Sequence, residues 1–190
     1  MTKERDNRSN KQCLDDLISA IEGLEQELEA LRADGEALNV FEVLGITNTE
    51  TRHSNVIAWL MRPNGNHGLG GCVLAALIDR AGGIAPEDMS DFRILRESDN
   101  IDILATSTAN SMTLAIENKI WSGEHDDQLA RYREIIERRY PGWEHLYLFL
   151  SPFGTPPEGE EDGEIWAPID CRAILGIVED AMGGCEVSDK

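Results

Sequence analysis

Long apolar runs, paired cysteines and an excess of positive charge are all missing from this chain. No window holds the ~18 consecutive apolar residues that a membrane-spanning helix needs, so a membrane partner is not expected. The start, Met1-Thr2-Lys3-Glu4-Arg5-Asp6, has no apolar stretch of the kind a secretory signal carries, and a cytoplasmic location is expected. Cys13, Cys72, Cys171 and Cys185 are widely scattered, with no Cys-x-x-Cys pair and no histidine at zinc-finger spacing. Reduced structural thiols are therefore expected, rather than a zinc site or a disulfide framework. Basic residues are few: 17 Lys and Arg face 36 Asp and Glu, a formal net charge of -19 that repels a phosphate backbone at long range. Avid, unaided binding of duplex nucleic acid is not expected. The acidic excess is concentrated in the 15–36 helix, the Glu158–Glu164 loop and the C-terminal tail, which leaves a local basic strip of Arg131, Arg133, Arg138 and Arg139.

What is present fits one globular domain preceded by a helix. At 190 residues and 41% hydrophobic content, the chain is long enough to bury a core. Leu14, Leu17, Ile21, Leu24, Leu28 and Leu31 recur at alternating three- and four-residue spacing, which predicts an amphipathic helix over Cys13–Ala33 with a heptad seam. That seam suits either packing on its own domain or pairing in a homodimer. The division expected is 1–38 for this helix and 39–190 for the domain. A short helix over Val40–Leu44 follows. Thr47-Asn48-Thr49-Glu50 has the form of a capping box opening a helix to about Met61, and Gly71–Ala81 reads as another helix with Val73, Leu74, Leu77 and Ile78 inward. Strands are expected at Phe92–Glu97, Ile101–Ala105 and Met112–Lys119, then a helix over Asp126–Arg139 and a strand over His145–Leu150. The acidic Pro/Gly stretch Pro152–Gly163 reads as a mobile loop. A strand near Trp166–Ile169 and a helix over Arg172–Met182 close the chain.

The chemistry concentrates in Asn100-Ile101-Asp102-Ile103-Leu104 and Leu114-Ala115-Ile116-Glu117-Asn118-Lys119. Side chains alternate across a strand, so Glu117 and Lys119 share one face and Ile116 and Asn118 the other. The Thr, Ser and Asn cluster within Ala105–Met112 predicts a turn that folds the Asp102 strand back beside them. Two carboxylates held close repel each other, and a divalent cation between them makes the arrangement favourable. A metal with a positioned water is equipment for phosphodiester hydrolysis. The bland alternatives are an Asp102 that pairs with Lys119 or Arg96, and a Glu117–Lys119 surface pair.

Asp, a short hairpin, then Glu-x-Lys resembles the PD-(D/E)XK nuclease superfamily. Together with Glu50-Thr51-Arg52-His53-Ser54, Pro63-Asn64-Gly65-Asn66-His67-Gly68-Leu69-Gly70 and Ile116-Glu117-Asn118-Lys119-Ile120, the pattern is similar to a bacterial branch of it, from about Phe41 to about Asp180. The resemblance implies an α/β, restriction-endonuclease-like αβββαβ core, with a central mixed four- to five-stranded sheet flanked by helices. Members of the family are often longer, so a further C-terminal region is an expectation. It also implies Mg²⁺, with Mn²⁺ able to substitute, held by Asp102, Glu117 and the backbone carbonyl of Asn118, and it assigns Lys119 to the attacking water.

Glu50 matches an acid that the family places near the metal, although the capping box alone explains it. His53, one turn later, reads either as a satisfied core histidine or as support for Glu50, and Glu97 is a similar but weaker case. Gln128 and Tyr132 share a helix face and resemble the Gln-x-x-x-Tyr motif of RecB-like nucleases, beside the active site. With Arg131 they are candidate substrate contacts, Gln128 also entering the catalytic set. His67, between Asn66 and Gly68, reads as fixing a turn. The function expected is Mg²⁺-dependent hydrolysis of nucleic acid, DNA before RNA, in bacterial or phage defence or processing. The rivals are a nuclease-fold subunit that needs a protein partner, as the acidic surface suggests, and a non-catalytic interaction module built on the N-terminal helix.

Overall fold

The computed structural model describes residues 50–119 and 128–184, all within the second of two units, Asn48–Lys190. The expected Cys13–Ala33 helix and its dimer seam, the Val40–Leu44 helix, the Thr47 cap, His125 and the C-terminal tail lie outside the described residues.

The described chain runs α1 (Glu50–Leu60), α2 (Cys72–Arg80), β1 (Arg93–Ser98), β2 (Ile101–Ser107), β3 (Met112–Asn118), α3 (Gln128–Arg139), β4 (Glu144–Ser151), α4 (Glu160–Ile165), β5 (Ala167–Asp170) and α5 (Cys171–Gly184). The five strands form one mixed sheet in the order β1-β2-β3-β4-β5. β1, β2 and β3 are antiparallel neighbours, whereas β3, β4 and β5 run parallel. Tight turns join the antiparallel strands. The parallel pairs need crossovers, which α3 and α4 supply. Asp99 and Asn100, at φ 58° and 67°, make the two-residue β1–β2 turn, of the left-handed kind that matches the twist of a hairpin.

All of β3 is buried, as a central strand covered on both faces must be. One face is aliphatic: Ile103, Ala105, Leu114, Ile116, Leu148 and Leu150 pack with Ile57, Met61, Leu74, Leu77, Ile78 and Ala181 from the α1, α2 and α5 side. The other face sets Leu104, Ala115, Tyr147 and Phe149 against Leu129, Tyr132 and Ile136 of α3, with Trp166. Strand parity sorts the residues between the two layers. Among the described residues, no helix is long and apolar enough to cross a membrane.

Three expectations change. The acidic Pro/Gly stretch is not all loop, because α4 forms within it. Arg133 pairs with Glu161 (3.0 Å) and Asp162 (3.3 Å), and Trp166 just beyond is fully buried. Exposed pairs of this kind contribute only about 0.2–1 kcal/mol. Burying an aromatic ring contributes about 1.5–3 kcal/mol, so Trp166 is the stronger anchor. β2 also runs on to Ser107. Asp91 accepts hydrogen bonds from Ser107 Oγ (2.6 Å) and the Ala109 N–H (2.8 Å), and these hold the turn and keep the Asp91 carboxyl below its usual range. Finally, Cys72 is disulfide-bonded rather than reduced, while Cys171 carries a free thiol.

Candidate active site

The β2–β3 register pairs Leu104 with Ala115 and Ile103 with Ile116. Continued by one residue, that register would set Asp102 against Glu117, at the end of the sheet where β3 finishes. Both belong by parity to the α3 face. Asp102 Oδ2 accepts the Asn118 backbone N–H at 2.9 Å. Glu117 is 2% exposed, and its Oε1 accepts from Lys119 Nζ at 3.1 Å and from Gln128 Nε2 at 3.1 Å. The Lys119 side chain is itself only 12% exposed. An ionised carboxylate at this depth is costly unless an ammonium and a polar hydrogen attend it, and here both do.

α3 delivers the rest. Gln128 and Tyr132 lie one turn apart on the same helix face, and Gln128 Nε2 also donates to the Tyr132 hydroxyl. Tyr132 in turn donates to the Asn100 carbonyl at 2.6 Å, tying α3 to the β1–β2 turn. Burial pushes the Tyr132 phenol up, and the charges of Glu117 and Asp102 push it further, against the Gln128 hydrogen bond and Lys119. The phenol therefore stays protonated and keeps donating.

Asn118 faces the other way, and its Nδ2 donates to Ser54 Oγ of α1 at 3.0 Å. Glu50 opens α1, but its side chain lies outside the described residues. His53 is half-buried on the same helix, with Nδ1 buried and without a hydrogen-bond partner among the described residues. Glu97 is turned away: it lies within β1 at a left-handed φ of 53°, and its side chain, 62% exposed, pairs with Arg96 at 3.0 Å. Arg131 is exposed, with its guanidinium 6.0 Å over the Tyr132 ring. The basic strip is partly spent within the fold, since Arg133 binds α4 and Arg139 binds Asp99 at 2.6 Å. His67 fixes its turn. Its Nδ1 accepts the Leu69 N–H at 3.0 Å, so the proton sits on Nε2 and is donated to the Arg62 carbonyl at 2.9 Å. A Cβ on Gly65 would meet that ring at 2.5 Å. Ser54 and Asn100, both joined to this site, escaped the sequence reading. Ser54 had a signal in its motif; Asn100 contributes a backbone carbonyl, which no side-chain pattern announces.

The donor set suits a hard cation. Among the described residues, no three His, Cys, Asp or Glu side chains cluster as a metal cage. Two carboxylates with nearby carbonyl and amide oxygens resemble the sparse oxygen sets of Mg²⁺ or Mn²⁺, which keep several waters, and not the nitrogen and sulfur sets of Zn²⁺. Gln128 Oε1, buried without a hydrogen-bond partner among the described residues, is the kind of acceptor that an ordered water satisfies. The family model described as the PD-(D/E)XK nuclease superfamily matches residues 38–188. No curated protein and no solved structure matches the chain.

Proposed function

The chain belongs to the PD-(D/E)XK nuclease superfamily, and from that premise we propose that it hydrolyses the phosphodiester bonds of DNA with Mg²⁺, or Mn²⁺ in its place. The observation that carries this reading is the carboxylate of Glu117, buried at the strand end between Lys119 and Gln128, with Asp102 bonded to the next N–H along, that of Asn118. Asp102, Glu117 and the Asn118 carbonyl would hold the metal, with Glu50 a further candidate ligand. The metal, when bound, would supply charge stabilisation at the attacked phosphate and a water of lowered pKa. Lys119 orients the water and offsets the charge that builds on the phosphate oxygens. Gln128 holds Glu117 in place, Tyr132 holds Gln128, and Arg131 offers an exposed charge for the substrate backbone.

The branch that Glu50-Thr51-Arg52-His53-Ser54 resembles supports DNA as substrate and a bacterial or phage defence role. A homodimer belongs to the same reading, because two copies would bring two sites to a duplex. A second reading, a nuclease subunit brought to its substrate by a protein partner, draws support from the net charge of -19 and from the arginines engaged within the fold. One assay tests both: cleavage of single- and double-stranded DNA and of RNA, with Mg²⁺, Mn²⁺ or a chelator, at low and high salt. Metal-dependent cleavage of DNA by the purified chain is the expected result. No cleavage under any condition would sink autonomous activity and leave the partner reading.

A further inference from the structure

Asn118 makes connections on both faces of the sheet. Alternation along β3 sends Glu117 to the α3 face and the Asn118 side chain to the α1 face. There its Nδ2 donates to Ser54 Oγ at 3.0 Å, across 64 residues of sequence, with both residues buried and Ser54 wholly so. The same residue gives its backbone N–H to Asp102 Oδ2 at 2.9 Å. The next residue, Lys119, gives its N–H to the Leu150 carbonyl at 2.8 Å while its ammonium pairs with Glu117. The short run Asn118-Lys119 thus joins α1, β2 and β4 just where β3 stops.

We infer that Ser54 is a positioning residue: by anchoring the Asn118 side chain from the opposite face of the sheet, it keeps the Asn118 N–H on Asp102 and sets the direction in which Lys119 leaves the strand. The functional consequence rests on the nuclease reading; the structural one does not. Without the hydroxyl, the Asn118 amide loses the bond that ties it to α1, and it shifts and takes the peptide with it. Small displacements of groups that must act together are expensive, of the order of 10²-fold in rate for about 1 Å.

The test compares wild type, Ser54→Ala, Asn118→Ala and the double variant in two measurements. In cleavage kinetics, Ser54→Ala lowers kcat by about ten- to a hundredfold with KM unchanged. The double variant is no worse than the more affected single one, because both remove the same bond. In metal-free protein, amide hydrogen exchange at Asn118 accelerates in Ser54→Ala by about tenfold, while the Leu114 and Ile116 amides exchange as in wild type. Unchanged exchange at Asn118, additive kinetic losses, or equal acceleration along all of β3 would each overturn the proposal; the last would show general loosening instead. If wild type cleaves no substrate, the nuclease reading falls, and the exchange experiment still decides whether Ser54 anchors the strand end.

Discussion

The two faces of the sheet are built for different work. The face covered by α1, α2 and α5 is almost purely aliphatic, with Ile103, Leu114, Ile116, Leu148 and Leu150 packed on Leu74, Leu77 and Ile78. The face under α3 carries Asp102, Glu117, Gln128 and Tyr132, and its aromatic part leaves the Tyr147 hydroxyl and Trp166 Nε1 buried without hydrogen-bond partners among the described residues. Strands alternate, so one short segment can place Ile116 and Asn118 in the stabilising layer and Glu117 in the charged one. The charged layer tolerates its own repulsion because the aliphatic layer stabilises the sheet beneath it.

The largest effect that sharpens this contrast is expected on the charged face. Asp102→Asn, Glu117→Gln and Lys119→Met should each lower DNA cleavage by about 10²–10³-fold or more; the first two should melt close to wild type, whereas Lys119→Met should also melt lower because it strips the buried Glu117 carboxylate of its ammonium. Full activity in any one of them would remove that residue from the mechanism. On the aliphatic face the pattern should invert. Leu148→Ala should destabilise by about 2–5 kcal/mol in denaturant unfolding while the activity per folded molecule is kept. Loss of activity in a fully stable Leu148→Ala protein would break the comparison.

A smaller effect concerns the metal. Mn²⁺ should raise the melting temperature of wild type by mass action, corresponding to about 2.7 kcal/mol at a hundred times its Kd, and should leave Asp102→Ala unmoved. An equal shift in both proteins would mean screening of the net charge of -19 instead. The smallest effect is at alkaline pH. Burial, with help from Glu137 and against Arg133, pushes the Tyr147 phenol up to about 12. An unfolded tyrosine ionises near pH ~10, so above that the unfolded chain sheds the proton first and stability falls as pH rises toward about 12. Tyr147→Phe should flatten this decline in denaturant midpoints measured across that range; an unchanged slope would show that the phenol is not responsible.

Much of the domain could be read from spacing alone. Val73, Leu74, Leu77 and Ile78 lie inside α2 as their helical period requires, and the αβββαβ order follows from runs of alternating and helical pattern. The same local rule put Glu117 with Lys119 and Gln128 with Tyr132. It failed where a sequence-distant partner decides. Glu97 sits where a strand residue would face Asp102, yet a left-handed backbone turns it to solvent. The segment before Trp166 reads as loop by composition, yet Arg133 and the buried indole order it into a helix. Asp91 extends β2 from 16 residues away.

The sequence by itself determined which residues share a face, because side-chain direction in a strand or helix depends on neighbours only a few positions away. It thereby set Glu117 with Lys119 and Gln128 with Tyr132, while the resemblance to the nuclease superfamily made these four and Asp102 candidates. Only the tertiary structure decided that Tyr132 reaches the Asn100 carbonyl, that Glu97 leaves the group, that Cys72 is bonded, and that Asn118 finds Ser54 through the far side of the sheet. Those outcomes depend on how separate layers pack, and a hydrogen bond spanning 64 residues of chain leaves no periodic trace in either segment that makes it.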